Sequence, residues 1–592
     1  MVWWGVVALV AGQAQAADLE TWIIAWATEL DGDRGSDGRD EVLDLAIDQT
    51  QHVTVTGFVD GDPGEGRTGL LATFERNDGS VLWNIREEAG VLPNATDDVL
   101  TAVDFAPGSN DLAWCGQLAG IDSPKPTDPR TAYHVDAREP DKFGIHYESM
   151  PLWNEAFEVV PGSMGDQACR GLDRAGLTLF TTGDAATPEG GRQWITRIYN
   201  ATTGDVQDGG TFALPDPAAV ERGEAIAGDA ATGNFVVVGS SALPNANSSA
   251  VIRFMEAGGT QRWSDRIASP GDGPARFHDV VYDVTRGLVA AVGTVQRGNE
   301  AASDIQGIVR VYAAAGANGE PAVQLELELG SAAGDDYATS VAFDQSGRLV
   351  VGGSVADATT GIERWQVLRL SETTGAVEGD WEGPVTSGHS RIQALAQRDE
   401  VLVVGGFVDR GNTVDAAVTM LGPDRDGDAT ADIADQCPDD PNKILQGVCD
   451  CGTPDEDRDG DDFEDCIDRC PDDPNKTTRM GECGCGVPDD DTDNDGILDC
   501  LETCPNDPNK VEPGACGCDV QDIDRDRDGV ADCNDACEAT PDGAEVGTDG
   551  CEARGAGCGC QSVTPISALL APLCLILISV TRRRHGQTNR NI

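Results

Sequence analysis

The stretch Asp335-Asp336-Tyr337-Ala338-Thr339-Ser340-Val341-Ala342-Phe343-Asp344, followed by Gly347 and Leu349-Val350-Val351-Gly352-Gly353, reads as a strand, a turn and a second strand closed by glycine. Weaker copies end in Val53-Thr54-Val55-Thr56-Gly57, Leu112-Ala113-Trp114-Cys115-Gly116, Leu179-Phe180-Thr181-Thr182-Gly183, Val236-Val237-Val238-Gly239, Val289-Ala290-Ala291-Val292-Gly293 and Val401-Leu402-Val403-Val404-Gly405. The closing glycines at 57, 116, 183, 239, 293, 352 and 405 lie 53 to 67 residues apart, a period that suits a four-stranded sheet with its loops. Each copy runs on into a third strand, such as Gly69-Leu70-Leu71-Ala72-Thr73-Phe74 or Trp365-Gln366-Val367-Leu368-Arg369-Leu370. A glycine turn then leads to a fourth, as Asp78-Gly79 leads to Val81-Leu82-Trp83. Two-residue alternation at this spacing, with almost no helical period, predicts an all-β fold: a seven-bladed β-propeller over residues 18–421.

The ends of this region support closure. The third strand of the last copy, Ala416-Ala417-Val418-Thr419-Met420-Leu421, leaves no room for a fourth, while Thr21-Trp22-Ile23-Ile24-Ala25-Trp26-Ala27 precedes the first copy without a partner. Pairing the two removes an exposed sheet edge. Copies such as 335–353 resemble the bacterial β-propeller repeat family, and the resemblance implies an extracellular ring domain of unspecified ligand. Histidines 52, 134, 146, 278 and 389 are scattered, with no recurring Ser or Cys partner and no phosphate loop. Asp48, Asp104, Asp173, Asp229, Asp283 and Asp344 recur near the hairpin turn, where aspartate accepts backbone amides. With no catalytic constellation visible, the expectation is that the protein is not an enzyme. The competing reading is an exported enzyme acting on a polysaccharide or peptide in the propeller funnel. Cys115 and Cys169 end matching regions of consecutive copies and stand either as one disulfide or as two buried thiols.

Beyond residue 421 the pattern changes. Four loops place carboxylates at positions 1, 3, 5, 9 and 12: Asp424, Asp426, Asp428, Asp432 and Asp435; Asp457, Asp459, Asp461, Asp465 and Asp468; Asp491, Asp493, Asp495, Asp499 and Glu502; and Asp524, Asp526, Asp528, Asp532 and Asp535. Acids this dense repel unless a cation lies among them, and this spacing is the one with which a twelve-residue loop wraps Ca2+. Position 6 is glycine in two loops, Gly496 and Gly529, and is Ala429 or Asp462 in the others. The loops with Asp491 and Asp524 therefore read as complete, and those with Asp424 and Asp457 as weaker.

Cysteines keep the same register. Cys437, Cys470, Cys504 and Cys537 recur every 33 or 34 residues, and the first three open Cys-Pro-x-Asp-Pro-Asn-Lys. The fourth copy, Cys537-Glu538-Ala539-Thr540-Pro541-Asp542-Gly543, departs as an end cap would. These units, over 422–560, resemble thrombospondin type 3 repeats, which implies an extended disulfide-rich calcium-binding stalk with almost no apolar core. Cys-x-Cys pairs without histidine favour disulfides over zinc, and hence an oxidising compartment.

Charge sets the partner class. The chain has 592 residues with 41 basic and 103 acidic side chains, a net charge of −62, which excludes nucleic acid or an anionic membrane held by electrostatics. An extracellular protein or glycan remains as the expected partner, with the chain a monomer. Residues 1–16 read as a signal peptide ending in Ala14-Gln15-Ala16. In 561–592 a short apolar helix precedes Arg582-Arg583-Arg584, after Cys558-Gly559-Cys560. That ending resembles the sorting tail of myxobacterial surface proteins, which implies transfer to the cell surface on a lipidated Cys558 or Cys560. A plain C-terminal membrane anchor is the alternative. The combined expectation is a calcium-binding surface protein whose propeller serves adhesion or recognition.

Overall fold

The computed structural model describes residues 22–30, 39–60, 67–87, 99–105, 112–119, 131–138, 153–157, 167–212, 216, 218–269, 273–297, 304–317, 319–330, 334–383, 386–411 and 413–553. The expected signal peptide, the apolar C-terminal helix, Cys558 and Cys560 lie outside them. Among the described residues there is no helix, and so none long and apolar enough to cross a membrane. The chain divides into two compact units, Met1–Asp455 and Glu456–Ile592.

Among the described residues of the first unit, 28 strands form five sheets of four and one of eight. The large sheet is two four-strand groups joined by one parallel bridge, Arg192 to Val220. The first strands of the groups are Glu41–Ile47, Val99–Phe105, Gln167–Ala175, Val220–Asp229, Ala275–Asp283, Tyr337–Phe343 and Ser390–Arg398. Each packs against the next, and the last packs against the first, so the series closes on itself. Trp22–Leu30 pairs antiparallel with Val414–Pro423 and supplies the strand that the last copy lacks.

Burial follows from this layering. Second strands such as Val53–Asp60 and Val401–Asp409 are buried on both faces, which is why they read as continuous apolar runs. Outermost strands such as Val377–Glu382 are half-buried or exposed throughout. Clusters of Val, Leu, Ile, Phe and Trp fill the spaces between neighbouring sheets, as where Val350, Trp365 and Val367 meet Ile392, Leu402 and Leu421.

The closing glycines have a specific cause. All seven first strands carry a β-bulge, between Val42/Asp44, Leu100/Ala102, Cys169/Gly171, Gly223/Ala225, Phe277/Asp279, Ala338/Ser340 and Ile392/Ala394. Opposite each bulge stands a glycine of the second strand. A Cβ at Gly57, Gly183 or Gly239 would lie 1.9 Å from the carbonyl oxygen of Glu41, Ala168 or Arg222, and one at Gly353 would lie 1.8 Å from that of Tyr337. Only glycine permits that approach. In the last two copies the glycine so required is Gly353 or Gly406, one residue beyond the Gly352 and Gly405 of the sequence period.

Candidate functional site

Each bulge ejects one residue inward, and the seven ejected residues are Leu43, Thr101, Arg170, Glu224, His278, Thr339 and Gln393. All seven line one cavity of about 430 Å³ at the centre of the ring. Going along the first strands, Asp44 and Asp279 follow one residue after the bulge, and Asp104 and Asp173 three residues after it.

This placement divides the recurring aspartates. Asp48, Asp229, Asp283 and Asp344 sit at the hairpin turns as expected. Asp48 Oδ1 accepts the Thr50 amide at 2.8 Å, and Asp344 Oδ1 accepts the Ser346 amide at 2.9 Å. Asp104 and Asp173 do not belong with them. They lie two residues earlier and face the cavity, where they tie successive strands: Asp104 Oδ2 accepts the Arg174 amide at 2.8 Å, and Asp173 Oδ2 accepts the Gly228 amide at 2.6 Å. Asp44 does the same to Val103 at 2.9 Å, and Asp279 to Val341 at 2.8 Å. Asp44 and Asp279 carried no signal at the level of periodicity, because their register is visible only once the bulges are placed.

Burial dominates the chemistry of this set. It pushes the Asp44 carboxyl up to about 7 and that of Asp104 to about 6. Asp173 is raised as well, first by burial and then by the charge of Asp104. Burial, followed by the charges of Arg276 and Arg391, lowers His278 to about 3, so its imidazole is neutral.

The acidic loops supply a second kind of site. In each, the first three acids bring carboxylate oxygens within 4.8 Å of one another: Asp424, Asp426 and Asp428; Asp457, Asp459 and Asp461; Asp491, Asp493 and Asp495; Asp524, Asp526 and Asp528. An all-oxygen set at this spacing can hold a hard cation. Backbone amides fold the loop around position 1: Gly427 and Ala429 donate to the two oxygens of Asp424, and Arg527 and Gly529 to those of Asp524. Position 12 joins the cluster, since Asp426, Asp428 and Asp432 add to the burial that raises Asp435, and Asp491, Asp493, Asp495 and Asp499 add to the burial that raises Glu502. One oxygen of Asp435 and one of Asp468 accept the amides of Cys437 and Cys470. Their other oxygens are buried with no hydrogen-bond partner, as are both oxygens of Asp459 and of Glu502. Orphaned buried carboxylate oxygens are costly, and a bound cation satisfies them.

Position 9 also contacts the start of its own loop. Asp432, Asp465 and Asp532 each accept the position-2 amide with Oδ1 and meet the position-2 arginine with Oδ2, at 3.2, 3.0 and 3.1 Å from Arg425, Arg458 and Arg525. In the third loop Thr492 gives both its amide and its hydroxyl to Asp499. Position 9 thus braces the loop.

The loops also need two left-handed residues each. Position 6 has φ between 72° and 95° in all four, at Ala429, Asp462, Gly496 and Gly529. Position 4 is left-handed as well, at Gly427, Gly460, Asn494 and Arg527. Each loop therefore holds one glycine, at position 4 in the first two and at position 6 in the last two. An L-residue in this region costs about 1 kcal/mol. Replacing Ala429 by glycine should tighten metal binding at the first loop severalfold, and Gly496→Ala should weaken the third by a similar factor. Site-resolved titration of the two variants checks this, and equal affinities would refute it.

A repeated lysine stands between loops. Lys443, Lys476 and Lys510, the last residues of Cys-Pro-x-Asp-Pro-Asn-Lys, have their side chains 8–11% exposed. Their ammonium groups reach Asp455, Asp489 and Asp522 at 2.9, 2.9 and 2.8 Å, while those carboxylates accept the amides of Cys449, Cys483 and Cys516. These three aspartates, two residues before their loops, were not singled out as functional by spacing. Disulfides Cys470–Cys485, Cys504–Cys518 and Cys537–Cys551 lie in the second unit with Cys483–Cys500 and Cys516–Cys533. Cys437–Cys451 lies in the first, Cys449 and Cys466 are disulfide-bonded too, and Cys115 pairs with Cys169 between adjacent sheets. So many disulfides suggest an oxidising, extracellular environment.

No protein-family model and no curated protein matches the chain. Similar solved structures include polysaccharide lyase Uly1, at 9% identity and a TM-score of 0.37 over 64% of this chain and 90% of that one. They also include the β-propeller domain of the Trilobed protease from Pyrococcus furiosus, at 9% and 0.36 over 64% and 95%. A third is the α-L-arabinofuranosidase Arb93A from Fusarium graminearum, at 8% and 0.37 over 68% and 98%. The expectation that the chain is not an enzyme is withdrawn on this finding: two of these structures are enzymes, although the likeness is one of fold alone. Two acids read as turn residues, Asp104 and Asp173, instead line the central cavity.

Proposed function

We propose that this is an exported calcium-binding protein in which seven four-strand groups form a closed propeller that binds an extracellular protein or glycan, followed by thrombospondin type 3-like repeats folded by Ca2+. The observation that carries the calcium reading is the set of buried, unpartnered oxygens of Asp435, Asp468 and Glu502 beside acids already grouped in threes, with those of Asp459 inside one such group. Carboxylates at positions 1, 3, 5 and 12 and a position-7 carbonyl suit an ion that accepts six to eight oxygens. Magnesium, which demands octahedral geometry and keeps its water, is a poorer fit. Export agrees with the disulfides, and a surface location through 561–592 is part of the same proposal.

The test is calorimetric titration of metal-free protein with Ca2+ and, separately, Mg2+. Binding to four loops with dissociation constants of about 10⁻⁴ to 10⁻³ M is expected for calcium. Equal or tighter magnesium binding, or no heat with either ion, would reject the reading.

A further inference from the structure

Against a net charge of −62, one end of the ring cavity is basic. Arg222 and Arg276 occupy the same place in successive first strands, two residues before the bulge, and Arg170 is itself a bulge residue of the strand before them. Arg222 lies near enough to Arg170 and Arg276 that both lower its pKa, after burial. Arg391 holds the equivalent place in Ser390–Arg398, and its guanidinium lies 3.2 Å from the centroid of the Tyr337 ring.

The carboxylates among the described residues do not neutralise this arc. Asp184 serves both Arg170 and Arg192. Glu224 is 3.9 Å from Arg170 and 3.6 Å from Arg276, while Glu363 is bound by Arg391. Among the described residues Arg222 has no ion pair, and its Nε is buried without a hydrogen-bond partner. Among the described residues Arg170, Arg222 and Arg276 thus meet only Glu224 and an Asp184 that Arg192 also uses. Like charges held together in a protein with acid to spare cost free energy, and an anion bound among them would offset that cost.

We propose that this mouth binds an acidic glycan, a sugar chain bearing carboxylates, with Arg222 and Arg276 as its principal anion-binding groups. The arginines span three consecutive strands and recur at Arg391, so they match charges repeated along a chain better than a single small ion. Just inside them the neutral imidazole of His278 and the amide of Gln393 offer hydrogen bonds suited to sugar hydroxyls. The proposal rests on the ring being a ligand-binding domain and is independent of the calcium reading.

Full-length calcium-loaded protein is titrated with oligogalacturonate, with its methyl-esterified uncharged form, and with a glutamate-rich peptide. Saturable binding of the oligogalacturonate alone is expected, weakened by added salt. The double variant Arg222→Gln/Arg276→Gln should lose at least about tenfold in affinity, while Arg286→Gln, at a hairpin turn, should lose none. Arg222→Lys/Arg276→Lys, which keeps the charge, should recover part of the loss and shows that the ring is intact. No binding of oligogalacturonate, equal binding of the ester, tighter binding of the peptide, or an unaffected Gln variant would each overturn the proposal. Protease protection of the repeats by calcium, read in the same samples, reports on the calcium reading separately.

Discussion

Withdrawal of calcium by a chelator is expected to open residues 456–553 to protease while the ring keeps its melting transition. The ring buries large apolar side chains completely, among them Trp114, Trp194, Trp263, Phe180 and Phe254. Within 424–553 the buried apolar residues are only Ala431 and the half-cystines Cys437, Cys449, Cys470 and Cys504, and Leu445, Ile467, Met480 and Leu501 are exposed. Ordering a chain costs roughly 1–2 kcal/mol per residue, which so little burial cannot offset. Disulfides bridging 14 to 17 residues restrict the unfolded chain but do not dictate one folded path. With the metal gone, four clusters of carboxylates repel one another. Limited proteolysis mapped by mass spectrometry, beside calorimetric melting, reads both halves of the prediction. Unchanged cleavage of 456–553 in chelator would contradict it, as would loss of the ring transition.

Lys476→Met is expected to raise the calcium concentration needed for that protection by about tenfold, the size of a lost charge-assisted hydrogen bond. The methionine fills a similar space but leaves the Gly484 carbonyl and the Asp489 carboxylate, which Lys476 reaches at 2.6 and 2.9 Å, without their donor. Asp489 is held below the ordinary carboxylate range first by that lysine and then by the Cys483 amide. It stands two residues before Asp491, so its position sets where the third loop begins. The effect should fall mainly on that loop. Lys476→Arg should behave more like the natural protein, since it keeps the charge. A Met variant with an unshifted calcium midpoint would show that the brace is incidental.

How much of this was legible in the sequence depends on which residues carry the signal. Alternation in 335–353 and its copies revealed the strands because each strand is buried between sheets, and the N-terminal strand could be paired with 414–423 because both were left over. The closing glycines were visible as a period, but their cause was not. A bulge is a matter of register, and the displacement from Gly352 to Gly353 and from Gly405 to Gly406 is legible only from strand pairing. The same blindness put Asp104 and Asp173 with the turn aspartates two residues away. The grouping of loop positions 1, 3 and 5 was readable from spacing alone, because acids two residues apart in a tight loop point to a common centre. The bracing by position 9 and by Asp455, Asp489 and Asp522 depends on partners such as Arg425 and Lys476, whose pairing no spacing discloses.

The seven bulges separate two duties that a strand residue normally combines. Gly57 and its counterparts answer for the fit between strands, while Leu43, Thr101, Arg170, Glu224, His278, Thr339 and Gln393 line the cavity, Thr101 and Thr339 also tying neighbouring sheets by donating to the Cys169 and Ile392 carbonyls. Six residue types already occupy these seven places, apolar, basic, acidic and neutral among them. At the places without such ties, Leu43 and Gln393 among them, the inner wall behaves as a set of interchangeable tiles on a common frame, and a new ligand could be accommodated there by exchanging tiles without redesigning the ring.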